Sequence, residues 1–218
     1  YGEGVEDTIH MGVVSSVAGL VGWLPAYCQA HPKVRFELFE GNTYHLLQQI
    51  RSGVLQLAIV RTPFAPGELE TVPLLEESLV AVGKENWFRD ENGRLPETIS
   101  LAELANRPLI VYRRWEGVLS RIFERKGLRL NTFCCNDDAR TTLTWAASGA
   151  GVGILPRSMV RHWSKRNDSE MVFLPVAEEA MQSRIELVYR KKEELSQAAR
   201  ALLQTAEAWY REKGEELL

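Results

Sequence analysis

Apolar positions along the chain switch repeatedly between a spacing of two and a spacing of three to four, the change of period that separates strands from helices. Ile9, Met11, Val13 and Val14 mark a first strand, which ends at the small polar pair Ser15-Ser16. Leu20, Trp23, Leu24, Tyr27 and Cys28 then recur at helical spacing as far as His31-Pro32. That proline ends the helix, because the residue before a proline avoids helical backbone. Val34, Phe36, Leu38 and Phe39 read as a second strand and Gly41-Asn42-Thr43 as a turn, after which Leu46, Leu47 and Ile50 form a helical stripe closed by Gly53. The unbroken run Leu57-Ala58-Ile59-Val60 fits a parallel strand buried on both faces. Strand, helix, strand, helix, strand is the order of an α/β unit.

The alternation resumes further on. Residues 79–83 predict a strand and 84–100 a long polar loop. Leu109–Tyr112 is again a short buried strand, followed by a helix through Leu119, Ile122 and Phe123 to Gly127. Residues 130–135 form a strand, and Asp137 or Asp138 can cap a helix carrying Leu143, Ala146 and Ala147. The glycine run 149–153 leads into Ile154-Leu155-Pro156. A strand at Ile185–Tyr189 and a helix from Ser196, with Leu202, Leu203, Ala206, Trp209 and Tyr210 on one face, complete the pattern. There is no strict repeat and no low-complexity linker. Two α/β halves joined directly predict lobes meeting at a cleft, with ligands beyond the carboxyl ends of the strands.

Composition narrows what such a cleft could do. The 218 residues, 45% hydrophobic and 25% charged, suit one large domain or two lobes of about 100 residues each. Lys and Arg number 26 against 29 Asp and Glu, a net charge of −3, which disfavours a phosphate-binding surface built from clustered cations. Neither a leader nor an apolar run of about 18 residues is visible, so no membrane association is expected. Cys28, Cys134 and Cys135 have neither metal spacing nor a disulfide framework. The adjacent pair points to opposite faces of its strand, and all three read as reduced thiols of a cytoplasmic protein. The glycine run has a helix before it and a strand after it, the reverse of a dinucleotide fingerprint, so no cofactor is expected. Ser15-Ser16 do not match a nucleophile elbow, His10, His31, His45 and His162 lack ligand spacing, and no acid–base pair converges. Neither an enzyme nor a metal site is expected.

Binding groups are easier to find. Ser15 and Ser16 stand at a strand end before a helix, where hydroxyls and backbone N–H groups can hold an anion or simply cap. Thr43 has the same two options at the next helix start. Arg61 directly follows the buried strand 57–60, a position for a cation that has a partner or faces a cleft. Arg113-Arg114-Trp115 repeats this placement after the strand 109–112. The clusters Arg121, Arg125, Lys126, Arg129 and Arg157, Arg161, Lys165, Arg166 read as solvated helix faces.

Taken in order, these segments resemble the effector-binding domain of LysR-type transcriptional regulators, relatives of the type 2 periplasmic binding proteins. The resemblance runs over essentially the whole chain. It rests on the strand ending in Ser15-Ser16, Leu24-Pro25 and its helix to His31-Pro32-Lys33-Val34, Glu40-Gly41-Asn42-Thr43, Leu47 to Gly53, and Leu57-Ala58-Ile59-Val60-Arg61. Val72-Pro73-Leu74-Leu75-Glu76-Glu77, Leu101-Ala102-Glu103-Leu104-Ala105 before Arg107-Pro108-Leu109-Ile110, and Ala147 to Pro156-Arg157 continue it. Gln56 stands where the family usually has Asp, and the cysteine pattern of its redox-sensing branch is not apparent at Cys134-Cys135.

The resemblance implies two Rossmann-like α/β lobes joined by two crossover strands, lobe I being 1–77 with 181–218 and lobe II 78–180. It implies an N-terminal winged helix-turn-helix domain outside this chain, consistent with a start at Tyr1-Gly2-Glu3-Gly4 without Met. Effector contacts carried over from the family are Ser15, Ser16, Asn42, Thr43 and Arg61 from lobe I, and Arg113, Trp115, Asn136 and Val152 from lobe II and its crossover. Because the lobe I groups are donors, the expected effector is a small organic acid. The resemblance further implies a homodimer of this domain through helices near 24–31 and 118–126, a homotetramer in the full-length protein, and DNA contact only through the missing domain. A solute-binding protein of a transport system is the alternative reading.

Overall fold

The computed structural model describes residues 7–17, 19, 21–164 and 171–218. The chain folds into two compact units, one comprising the residues up to Glu76 together with Arg184–Leu218, the other Glu77–Ser183.

In the first unit the strands are β1 (Asp7–Val13), β2 (Val34–Glu40), β3 (Leu57–Arg61) and the first half of β4 (Glu70–Lys84). The helices between them are α1 (Leu24–Ala30) and α2 (Thr43–Arg51). β1 lies parallel to both β2 and β3. Short connections explain neither parallel pair; each needs a helix to carry the chain back, which is what α1 and α2 do. Every residue of β3 is buried, as its unbroken apolar run predicts. Ile9, Met11, Leu46, Ile50, Leu57 and Ile59 belong to one core with Leu202, Leu203 and Ala206 from the last helix.

The second unit contains the rest of β4, then α3 (Leu101–Ala105), β5 (Leu109–Tyr112), α4 (Arg113–Arg125), β6 (Thr132–Asn136), α5 (Ala139–Ser148), β7 (Val152–Pro156), α6 (Arg157–Ser164) and β8 (Met171–Pro175). β5 is parallel to β6 and β7, and β4 is antiparallel to β7 and β8. Trp115, Leu119, Ile122 and Phe123, three to four residues apart, are the buried stripe of α4. β9 (Gln182–Tyr189) then leads back to the first unit, where it runs antiparallel to β3, and α7 (Gln197–Lys213) closes the chain. The chain therefore crosses between units inside β4 and again inside β9.

Several elements differ in extent from the sequence pattern. The strand expected at 79–83 is the second half of a 15-residue strand, because the polar-looking start Glu70–Glu77 alternates along a strand that is only partly covered. β8 is not among the strands read from the sequence: the apolar run 171–174 is interrupted by Pro175, and Met171, Val172 and Phe173 are only half covered. The helix read from Leu20 begins at Leu24, with Pro25 in its first turn. Leu20, Lys165 and Arg166 lie outside the described residues. The glycine run serves close packing, since Gly149 caps α5 at φ +87° and a Cβ on Gly151 would stand 2.4 Å from the Pro108 carbonyl oxygen.

Candidate functional site

Register in the first unit gathers the candidate groups. Val13 on β1 is level with Glu40 on β2 and with Ile59 on β3. Two residues beyond that level, at the carboxyl ends of three neighbouring strands, stand Ser15, Asn42 and Arg61. The Val14 N–H donates to the Ile59 carbonyl (3.2 Å) and the Gly41 N–H to the Val13 carbonyl (3.3 Å), so these chain ends are stitched together where the strands finish.

Asn42 is the N-cap of α2, its Oδ1 accepting from the His45 N–H at 2.9 Å. Thr43, the first helical residue, is fully buried. Ser15 is 8% exposed, Ser16 1% and Arg61 0%. A fully buried guanidinium is uncommon and requires compensating partners. At the end of β3, Thr62 exchanges hydrogen bonds with Arg184 of β9, its N–H donating to the Arg184 carbonyl and its Oγ1 accepting from the Arg184 N–H, both at 2.9 Å. Hydroxyls, a cation and the positive end of the α2 dipole therefore present donors and positive charge at this edge.

The corresponding edge of the second unit is more self-contained. Tyr112 is level with Asn136, so β5 and β6 end together. Asn136 donates through Nδ2 to Thr142 Oγ1 (2.9 Å) and accepts at Oδ1 from the Asp138 N–H (3.1 Å), which ties it to the start of α5. Arg113 donates to Asp137 across 2.6 Å, and that bond pushes the guanidinium's pKa further up. Asp138 caps α5 by accepting from the Arg140 N–H (2.7 Å) and also holds the Arg140 side chain, which keeps its own carboxyl below the usual range. Trp115 is buried and packs edge-on to Tyr112, ring centroids 5.3 Å apart. Val152 stands apart from these residues. It is level with Leu109 at the amino end of β5, and its N–H donates to the Pro108 carbonyl. Arg113, Trp115 and Asn136 are thus brought to one edge and Val152 to the opposite one.

Burial and then the nearby Glu116 carboxylate push the Cys135 thiol up, away from the reactive thiolate form. Among the described residues no group of three or more His, Cys, Asp or Glu could hold a metal ion, and no helix is long and apolar enough to cross a membrane.

Sequence reasoning missed one buried polar pair. Glu77, 3% exposed and the first residue of the second unit on β4, accepts from both the N–H and the hydroxyl of Ser158, each at 2.6 Å, at the start of α6. Its signal was an acid in the otherwise apolar second half of β4, hidden beside the exposed Glu76.

Comparison with known proteins gives a consistent answer. The LysR substrate binding domain family matches residues 2–211. The OxyR dual regulator of Escherichia coli K12 is 27% identical over 213 residues, 92% of this chain and 68% of OxyR. The BenM effector-binding domain with its effector benzoate superposes with a TM-score of 0.76 at 21% identity, covering 96% of this chain and 95% of that one. The regulatory domain of CcmR from Synechocystis PCC6803, in complex with 2-PG, gives a TM-score of 0.79 at 16% identity over 94% of this chain and 98% of its own.

Proposed function

The chain belongs to the LysR substrate binding domain family, with its type 2 periplasmic-binding-protein-like fold, and from that premise we propose that its effector is a small organic acid. It is the effector-binding domain of a LysR-type regulator, and its relatives are named as transcriptional regulators rather than enzymes. The observation that carries the acid is Arg61, wholly buried at the end of β3 and level with Ser15 and Asn42. A carboxylate accepts from a guanidinium and from hydroxyls at once, and such charge-assisted bonds are about twice as strong as neutral ones. Benzoate, the effector of the BenM domain, belongs to this chemical class.

In the proposal Ser15, Ser16, Asn42, Thr43 and Arg61 hold the carboxylate, while Arg113, Trp115 and Asn136 contribute from the second unit. Val152, which starts β7 beside the amino end of β5, stands at the opposite edge from these residues. Effector binding shifts the population of domain arrangements, and this reaches DNA through a separate winged-helix domain in a cytoplasmic homo-oligomer. Such a shift follows from differential affinity alone: moving from 1:99 to 99:1 takes about 5.5 kcal/mol of preference. The transport-protein reading has no comparable support, since the relatives are regulators.

Calorimetric titration with benzoate and with benzamide tests the charge pairing. The acid should bind at least about tenfold more tightly than its neutral amide, and Arg61→Met should remove that preference. Equal affinity for acid and amide would sink the organic-acid reading.

A further inference from the structure

The connection from β1 to α1 carries two buried polar atoms that pair with nothing among the described residues. Ser16 Oγ and Trp23 Nε1 each lie in residues 1% exposed, and neither finds a hydrogen-bond partner there. Buried polar groups are satisfied in the great majority of cases, so two exceptions within one eight-residue stretch call for a common explanation. The stretch begins at the carboxyl edge where Ser15, Asn42 and Arg61 stand. Trp23 is also the N-cap residue of α1, a position at which a small polar side chain would serve the helix better and at which the indole makes no capping bond. Its ring belongs to the core of the first unit. That burial accounts for the ring but not for the indole N–H, which packing leaves without an acceptor.

An indole N–H can only donate, and a serine hydroxyl can donate or accept. A single group that satisfies both is an acceptor with at least two lone pairs, which a carboxylate is. We propose that Trp23 is a further effector-binding residue, its Nε1–H donating together with the Ser16 hydroxyl to the carboxylate of the effector. This rests on the organic-acid reading above and extends it to a residue outside the strand ends. The chain alternates strand and helix with a tight junction at Gly22, where an added Cβ would meet the Trp209 ring at 2.3 Å, so the backbone that sets Trp23 has little freedom to turn it elsewhere.

The test is a titration of the 15N-labelled chain with sodium benzoate, following the indole N–H resonances of its six tryptophans. Trp23→Phe identifies the Trp23 signal by its loss. That signal should move with the same midpoint as calorimetric binding. Trp23→Phe should weaken benzoate about tenfold or more; because phenylalanine is smaller and leaves a cavity, some loss of melting temperature accompanies it, and the benzoate-dependent shift of the wild-type Trp23 signal is the readout that packing alone would not move. Ser16→Ala should act in the same direction. If benzoate binds but the Trp23 signal stays still, or Trp23→Phe lowers the melting temperature and leaves affinity intact, the indole is structural and the inference falls. If neither benzoate nor any other carboxylate binds the wild-type chain, the organic-acid reading itself fails, and this inference with it.

Discussion

At the scale of single residues, polar side chains divide into those whose partners lie within the fold and those whose buried polar atoms find none there. Asp138 belongs to the first kind, since it caps α5 and holds Arg140. Its folded-state pKa lies below the ordinary value of 3.8, so the stability it adds is present above that value and is lost as the pH falls through the folded one. Asp138→Ala should cost about 1 kcal/mol at pH 7, or roughly 2–4 °C in melting temperature. Thermal melts of both proteins should converge as the pH falls through the folded-state pKa of Asp138, below its ordinary value. A constant difference through that fall would mean that the carboxylate's charge plays no part. Asn136 and Arg113 also bond within the fold, to Thr142 and Asp137, and in the proposal they serve the effector as well, whereas Ser16 Oγ and Trp23 Nε1 find no partner among the described residues.

Among the elements, those whose periodicity is strong are legible from sequence and those with one half-covered face are not. β3 and the α4 stripe follow directly from Leu57–Val60 and from Trp115, Leu119, Ile122 and Phe123, because burial on a fixed face leaves an unbroken or evenly spaced apolar signal. The first half of β4 and all of β8 escape, since Glu70, Pro73 and Glu76 dilute one and Pro175 interrupts the other, whose half-covered residues show no alternation. The site shows the same division. Strand-end positions such as Ser15 and Arg61 can be read once the strands are known, but long-range pairs such as Glu77 with Ser158, 81 residues apart, carry no local mark. That pair anchors the start of α6 to β4 where the chain enters the second unit. Glu77→Ala leaves two donors of Ser158 without their acceptor and should cost about 2–4 kcal/mol in chemical denaturation, against about 1 kcal/mol for Ser158→Ala. A double-mutant cycle should show coupling above about 1 kcal/mol; additive losses would mean the two side chains stabilise the unit independently.

For the whole molecule, the same arrangement occurs at the edge of each unit: a helix packed beside an edge strand that exposes a large apolar side chain. In the first unit α1 flanks β2, with Tyr27 of the helix edge-on to Phe36 of the strand at 5.9 Å and Leu38 60% exposed. In the second, α4 flanks β6, on which Phe133 is 57% exposed. Edge strands with open apolar side chains are usually covered or charged in a monomer. The homodimer proposed for this family member through α1 and α4 would cover both edges if each chain set its first unit against its partner's second, an isologous contact in which one substitution is felt twice. Leu38→Arg should therefore shift sedimentation from dimer toward monomer while leaving the melt of the isolated chain nearly unchanged, because Leu38 is exposed within its own unit. Alkylation should report the same contact: the Cys28 thiol, exposed on α1, should react more slowly at concentrations where the dimer forms than in Leu38→Arg. Equal rates in the two proteins, or a wild type that sediments as a monomer at high concentration, would remove α1 and β2 from the interface.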